Sequence, residues 1–109
     1  MYKDSKYYLN KMLADIDFII EHMKALTKDQ FAADPVLQDS MMFRLVQISE
    51  SAALIPEEFK NRHRDIPWND IRGLRNRIVH DYGNVDLTIV YNTLTQSIPE
   101  LRALIYPVT

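Results

Sequence analysis

The stretch DSKYYLNKMLADIDFIIEHMKAL, Asp4 to Leu26, decides the fold class. Leu9, Met12, Leu13, Ile16, Ile19, Ile20 and Met23 recur at three- and four-residue intervals, which lays an apolar stripe along one face of a long helix. The pattern continues outward from there. TKDQ, Thr27 to Gln30, has the Thr-x-x-Gln form of a capping box and predicts a short connecting turn of helix. Asp34 and Pro35 offer an N-cap followed by proline at the first helical position. Leu37, Met41, Leu45, Ile48, Ala52 and Ile55 then form a second stripe, with Met42, Phe43, Val46 and Leu54 on the other sides of the same helix. Apolar residues around most of a circumference imply burial on two faces, inside a bundle or between two subunits.

Pro56 ends this second helix, and EEFKNRHRDIP reads as a polar connection. A third helix is expected from about Pro67 to His80 or Asp81, with Gly83 placed to stop it. Asp86 can cap a fourth, whose stripe is Leu87, Val90, Tyr91, Leu94, Ile98, Leu101 and Ile105. Pro99 should kink or restart that helix, and SIPE, Ser97 to Glu100, offers a cap for the restart. Two glycines in 109 residues agree with helices and not with tight hairpins. The expectation is an all-α fold, a single domain over residues 1–109 forming a bundle of four main helices, mostly antiparallel.

Composition narrows the function classes. Apolar residues make up 47% and charged residues 26% of the chain, the profile of an ordinary globular protein. Without cysteine there are no disulfides, thiolate metal sites or cysteine nucleophiles. No apolar run approaches the ~20 residues that span a bilayer. The start, MYKDSKYYLNKML, carries acid early and does not read as a signal peptide. A soluble cytoplasmic domain is expected. The net charge of −2 does not advertise nucleic-acid binding for the molecule as a whole. Between Lys60 and Tyr82, however, six cations face three acids, so positive charge gathers in one segment and a phosphate-bearing partner is the natural inference.

That segment contains GLRNRIVHDYG, Gly73 to Gly83. On a helical wheel Ile71, Leu74 and Ile78 define an apolar sector, and Arg75 falls inside it, about 40° from Ile71. A guanidinium there has three outcomes. Its head can snorkel to water, pair with a carboxylate of the second helix (Glu50 is the candidate), or face a cleft shared between subunits. Asn76 and His80 lie on the flank of the sector with Arg72 beside them, and Arg77 points away. His80 sits in the last turn, where the helix dipole favours imidazolium, and histidine can move protons near neutral pH. Arg75 and His80 are about 140° apart on an ideal helix. They could converge if the helix unwinds near His80, or if a two-fold axis brings two copies of the motif together.

RNRIVHDY, Arg75 to Tyr82, resembles the R-x4-H-x-Y motif of HepT-type toxins, a branch of the HEPN superfamily. The likeness extends over ISESAALIP, IPWNDIRGLRNRIVHDYGNVD and the closing amphipathic helix, in the family's order and over essentially the whole chain. It implies a homodimeric HEPN-type bundle acting as a metal-independent endoribonuclease without cofactor, with RNA as substrate. Arg75 and His80 would be catalytic, Asn76 and Arg72 supporting. It also implies an antitoxin partner, a minimal nucleotidyltransferase of the MNT type that adenylylates the motif tyrosine, here Tyr82. Two other readings stand beside it. One is a non-catalytic HEPN module that binds a nucleotide or a nucleotidyltransferase partner through the Arg75–His80 cluster. The other is a purely structural helical dimer in which Arg75 pairs with Glu50.

Overall fold

A computed structural model describes residues 4–81 and 83–109, with the side chains at 79–81 outside that description. The described residues form helices and no strand: α1 (Ser5–Met23), α2 (Lys28–Ala32), α3 (Pro35–Ala53), α4 (Glu57–Arg62), α5 (Trp68–Asp81), α6 (Leu87–Asn92) and α7 (Ile98–Ile105). The sequence starts them where the chemistry of capping says it should. Asp4 accepts from the Tyr7 amide, and Thr27 and Gln30 close a reciprocal capping box. Asp34 accepts from Leu37 ahead of Pro35, and Asp86 accepts from Thr88 and Ile89. The α1–α2 corner turns through Ala25, held at φ 58°, a left-handed conformation that costs a β-carbon about 1–2 kcal/mol.

α3 is the central element. It packs against α1 on one side and α5 on the other, while α7 covers α1. Leu9, Met12, Ile16 and Ile19 of α1 meet Met41, Leu45, Ile48 and Ala52 of α3 in a core completed by Phe31, Leu94, Ile98 and Ile105. Its second apolar side is shared. Met42 is buried, but Phe43 and Leu54 are 58% and 61% exposed. The expected burial of α3 on two faces therefore holds only in part, and an apolar strip faces outward. Two ion pairs tie α1 into place. Arg102 of α7 reaches Asp17 at 2.7 Å, and Arg44 of α3 reaches the buried Asp15 at 2.9 Å while its guanidinium covers the Phe18 ring at 3.7 Å.

One expectation fails, and of the kink or restart expected at Pro99 the restart is not realised. The segment after Pro56 is not merely a polar connection, because Glu57–Arg62 forms α4, whose Phe59 packs on Trp68. The fourth helix does not restart at Ser97, whose backbone is helical and whose side chain caps nothing. Instead, α6 passes into α7 through a π-helical turn at Thr93–Ser97. Proline at 99 lacks an amide and its ring crowds the carbonyl four residues earlier, so a wider turn relieves the clash without ending the helix. Threonine hydroxyls bond nearby carbonyls, Thr93 to Ile89 at 2.9 Å and Thr95 to Tyr91 at 2.8 Å.

The Asp15–Arg44 pair generates a stability prediction. Arg44→Ala leaves a buried carboxylate without its partner and should lower unfolding free energy by about 2 kcal/mol. Adding Asp15→Asn should restore most of that loss in urea titrations. Additive losses in the double variant would show that the two side chains act independently.

Candidate functional site

α5 exists as a helix because Pro67 precedes it and Gly83 follows it. The proline pre-sets the entry, and Gly83 at φ 93° takes a conformation that side-chain-bearing residues resist. Ile71 and Ile78 are buried and Leu74 is half-buried, so a narrow apolar edge faces α3. A long 3.5 Å contact runs from the buried Ser49 hydroxyl to the Arg72 carbonyl across the same seam. Most of the described remainder of the helix, including Arg72, Arg75, Asn76 and Arg77, is exposed.

Arg75 is therefore not inside the apolar sector, as the wheel suggests. Its side chain is 45% exposed, because α5 leans on one neighbour and the buried arc is narrower than the run of apolar residues. Of the three outcomes, pairing with α3 is the one realised. Nε donates to Glu50 Oε1 at 2.8 Å, in solvent and not in the core. Among the described residues only Nε of the guanidinium is engaged. Glu50 belongs to the outward strip of α3, on the helix face that carries Phe43 and Leu54. The arginine thus stands at the border of an exposed apolar surface.

α5 is helical through Asp81. Backbone unwinding ahead of His80 is not what brings Arg75 and His80 together within one chain. The His80 side chain and all of Tyr82 lie outside the described residues. Asn76 is exposed with no described hydrogen bond, and Arg72, one turn before it, is exposed on the same side. Arg77, set aside in the sequence as simply solvated, borders two grooves between α5 and the C-terminal helices. Sequence reasoning noticed Lys60 and Arg64 only as charge. The fold places them with Arg72 around a shallow groove between α4 and the start of α5. Among the described residues no group of three or more His, Asp or Glu is placed to hold a metal ion. No helix there is long and apolar enough to cross a membrane.

The exposure of the Arg75–Glu50 pair sets the scale of its contribution. Exposed ion pairs stabilise by about 0.2–1 kcal/mol, well below the 3–5 kcal/mol lost when a buried pair is broken. Arg75→Ala should reduce stability by less than about 1 kcal/mol in urea unfolding. A loss of several kcal/mol would restore the purely structural reading of this arginine.

A family model described as "Ribonuclease HepT-like" matches residues 12–108. A protein of Caldanaerobacter subterraneus subsp. tengcongensis named "Putative RNase" is 34% identical over 100 residues, covering 92% of this chain and 89% of the relative. A Methanocaldococcus jannaschii protein named "Gamma-glutamylcyclotransferase and putative RNase" is 34% identical over 102 residues, 94% of this chain but 46% of that longer relative. "Probable ribonuclease HepT" of Thermococcus cleftensis is 29% identical over 102 residues, 94% of this chain and 93% of the relative. No solved structure matches.

Proposed function

The chain belongs to the ribonuclease HepT-like family, and we propose that it is a metal-independent endoribonuclease built from two copies of α5. The observation that carries this reading is the Arg75 fork, exposed and only partly engaged, on the same helix as His80. In the proposed reaction the ribose 2′-oxygen attacks the adjacent phosphorus and the P–O5′ bond breaks. A cyclic 2′,3′-phosphate and a free 5′-hydroxyl result. A neutral His80 takes the 2′-hydroxyl proton, and a protonated imidazole returns one to the departing 5′-oxygen. Arg75 stabilises the charge that builds on the non-bridging oxygens, which a planar fork does better than an ammonium. Asn76 and Arg72 support the phosphate from the exposed side of α5.

Two copies suit this chemistry for a geometric reason. Positions 75 and 80 are about 140° apart by register, and the backbone of α5 stays helical through Asp81. Phe43 and Leu54 form an outward strip beside Glu50. Pairing two such strips about a two-fold axis covers apolar area and brings the arginines of both copies to one cleft. Exchange of Glu50 for a phosphate then requires only the breaking of a weak, solvated pair.

As an antitoxin-controlled enzyme it would be silenced by a nucleotidyltransferase that adds AMP to Tyr82. The adduct would place bulk and negative charge beside cations meant for RNA. The binding-module alternative shares the anion site and differs only in turnover.

Incubated with cellular RNA in EDTA, the unmodified protein should cleave, and His80→Ala should slow cleavage by about 10²–10⁴-fold. Activity that survives the substitution, or binding with no cleavage by unmodified protein, excludes the catalytic reading. Native and intact mass spectra address the assembly and its control together. The protein should be a dimer that becomes monomeric on Phe43→Glu/Leu54→Glu. After co-expression with the nucleotidyltransferase it should gain whole AMP units that Tyr82→Phe cannot accept. A monomeric wild type, or a gain retained in Tyr82→Phe, would refute the respective claim.

A further inference from the structure

The groove between α4 and the first turn of α5, about 330 Å³, shares only Arg72 with the site above. Lys60, Arg64 and Arg72 stand around it with Asn61 and Asn69, and Trp68 forms one wall. The wall is a fixed one. Trp68 is half-buried against Phe59, and its indole nitrogen donates to the His63 carbonyl at 3.0 Å. Lys60 is held over the indole face, its Nζ 5.7 Å from the ring centroid. Among the described residues neither Arg64 nor Arg72 has an ion-pair partner. Two carboxylates, Glu57 and Asp70, also line the groove. Three cations against two acids leave a surplus of one positive charge, enough for one backbone phosphodiester of a strand.

Its position along α5 supplies the second observation. Asn69, Arg72, Asn76 and His80 succeed one another at three- and four-residue steps, so they follow one side of the helix. From Asn69 to His80 is roughly 16 Å of helix, the length of a few nucleotides of extended single strand. The stripe between the groove and the motif is free of acidic residues, since Asp70 and Asp81 fall outside its register.

We propose that this groove is a second RNA subsite, in which Lys60 and Arg64 hold a backbone phosphate of single-stranded substrate a few nucleotides from the bond that is cut. The inference rests on the ribonuclease reading for the identity of the strand, and its test is separable from that reading. Binding through such a subsite is electrostatic and tolerant of sequence, and it sets which strand direction crosses the cleft. Short substrates that cannot reach the groove lose this contribution.

The experiment uses a fluorescent ten-nucleotide RNA, fully 2′-O-methylated so that it cannot be cleaved, and reads anisotropy across a salt series. Lys60→Ala/Arg64→Ala should weaken binding about tenfold at low salt and reduce the salt slope by about 0.7, the value for one lost phosphate contact on a single strand. Lys11→Ala/Lys24→Ala removes the same charge at α1 and its C-terminal end, elements that α3 separates from α5, and should change the slope little. Arg64→Glu, a single exchange, should reproduce the loss if the double variant folds poorly. Cleavage of an unmodified dinucleotide should be equal in wild type and Lys60→Ala/Arg64→Ala. Unchanged anisotropy, an equal loss in the α1 control, or displacement of the RNA by an acidic peptide of equal charge would overturn the proposal. A dinucleotide rate that falls with the decamer affinity would also overturn it, by placing these residues at the chemistry. Failure of the wild type to cleave any RNA counts against the ribonuclease reading alone, because the binding arm does not depend on turnover.

Discussion

The site helix has one main support. α5 is largely polar, and the apolar edge formed by Ile71, Leu74 and Ile78 is laid against α3. α3 in turn is fixed by its other side, where Met41, Leu45 and Ile48 lock into α1 at essentially zero exposure. A small residue lets the seam with α5 be close. Ser49 is buried, and its hydroxyl faces the Arg72 carbonyl. A bulky residue there would displace α5 as a unit, and with it every charged group it presents. The geometry of the candidate site is therefore decided inside the core, by α3, and not by the charged residues themselves.

The same arrangement explains why Arg75 ends up paired but not buried. Glu50 lies on the outward side of α3, and Arg75 on the edge of α5 that meets it. A carboxylate in that place holds the guanidinium in a defined direction while solvent screens the attraction. Such a pair orients without binding tightly. Had it been buried, removing Glu50 from the arginine to admit a phosphate would carry a large desolvation cost, and the fork would be structural. Exposure makes the difference between a fastening and a site.

Much of the fold is legible in the sequence because helices announce themselves locally. Period-3.6 stripes locate α1, α3 and the long C-terminal helix, and caps at Thr27, Asp34 and Asp86 set the starts of α2, α3 and α6 almost to the residue. What the sequence hides depends on partners distant in the chain. α4 is masked by its charge, and only Phe59 reaching Trp68 gives it a reason to pack. Pro99 correctly signals a disturbance, but whether a helix breaks or widens into a π turn is settled by whether α1 and α3 still need it to cover the core beyond the proline. Arg75 is the sharpest case. Its angular position is right and its burial is not, because a wheel assigns an apolar sector without knowing how many helices will occupy it. The basic groove was visible only as a charge surplus, since Lys60 and Arg72 are brought together by the α4–α5 corner and not by sequence spacing.

One constraint then governs any chemistry assigned to α5. Its helical backbone extends past His80 to Asp81, and Gly83 at φ 93° turns the chain only after that. By register on a continuous helix, positions 75 and 80 are about 140° apart. On the proposed reading, a phosphate held at Arg75 meets its proton carrier from a second α5 related by a two-fold axis. On that argument the exposed Phe43 and Leu54 are not a defect of the fold. On the proposed reading they are the surface through which two copies of α5 would meet to complete the site.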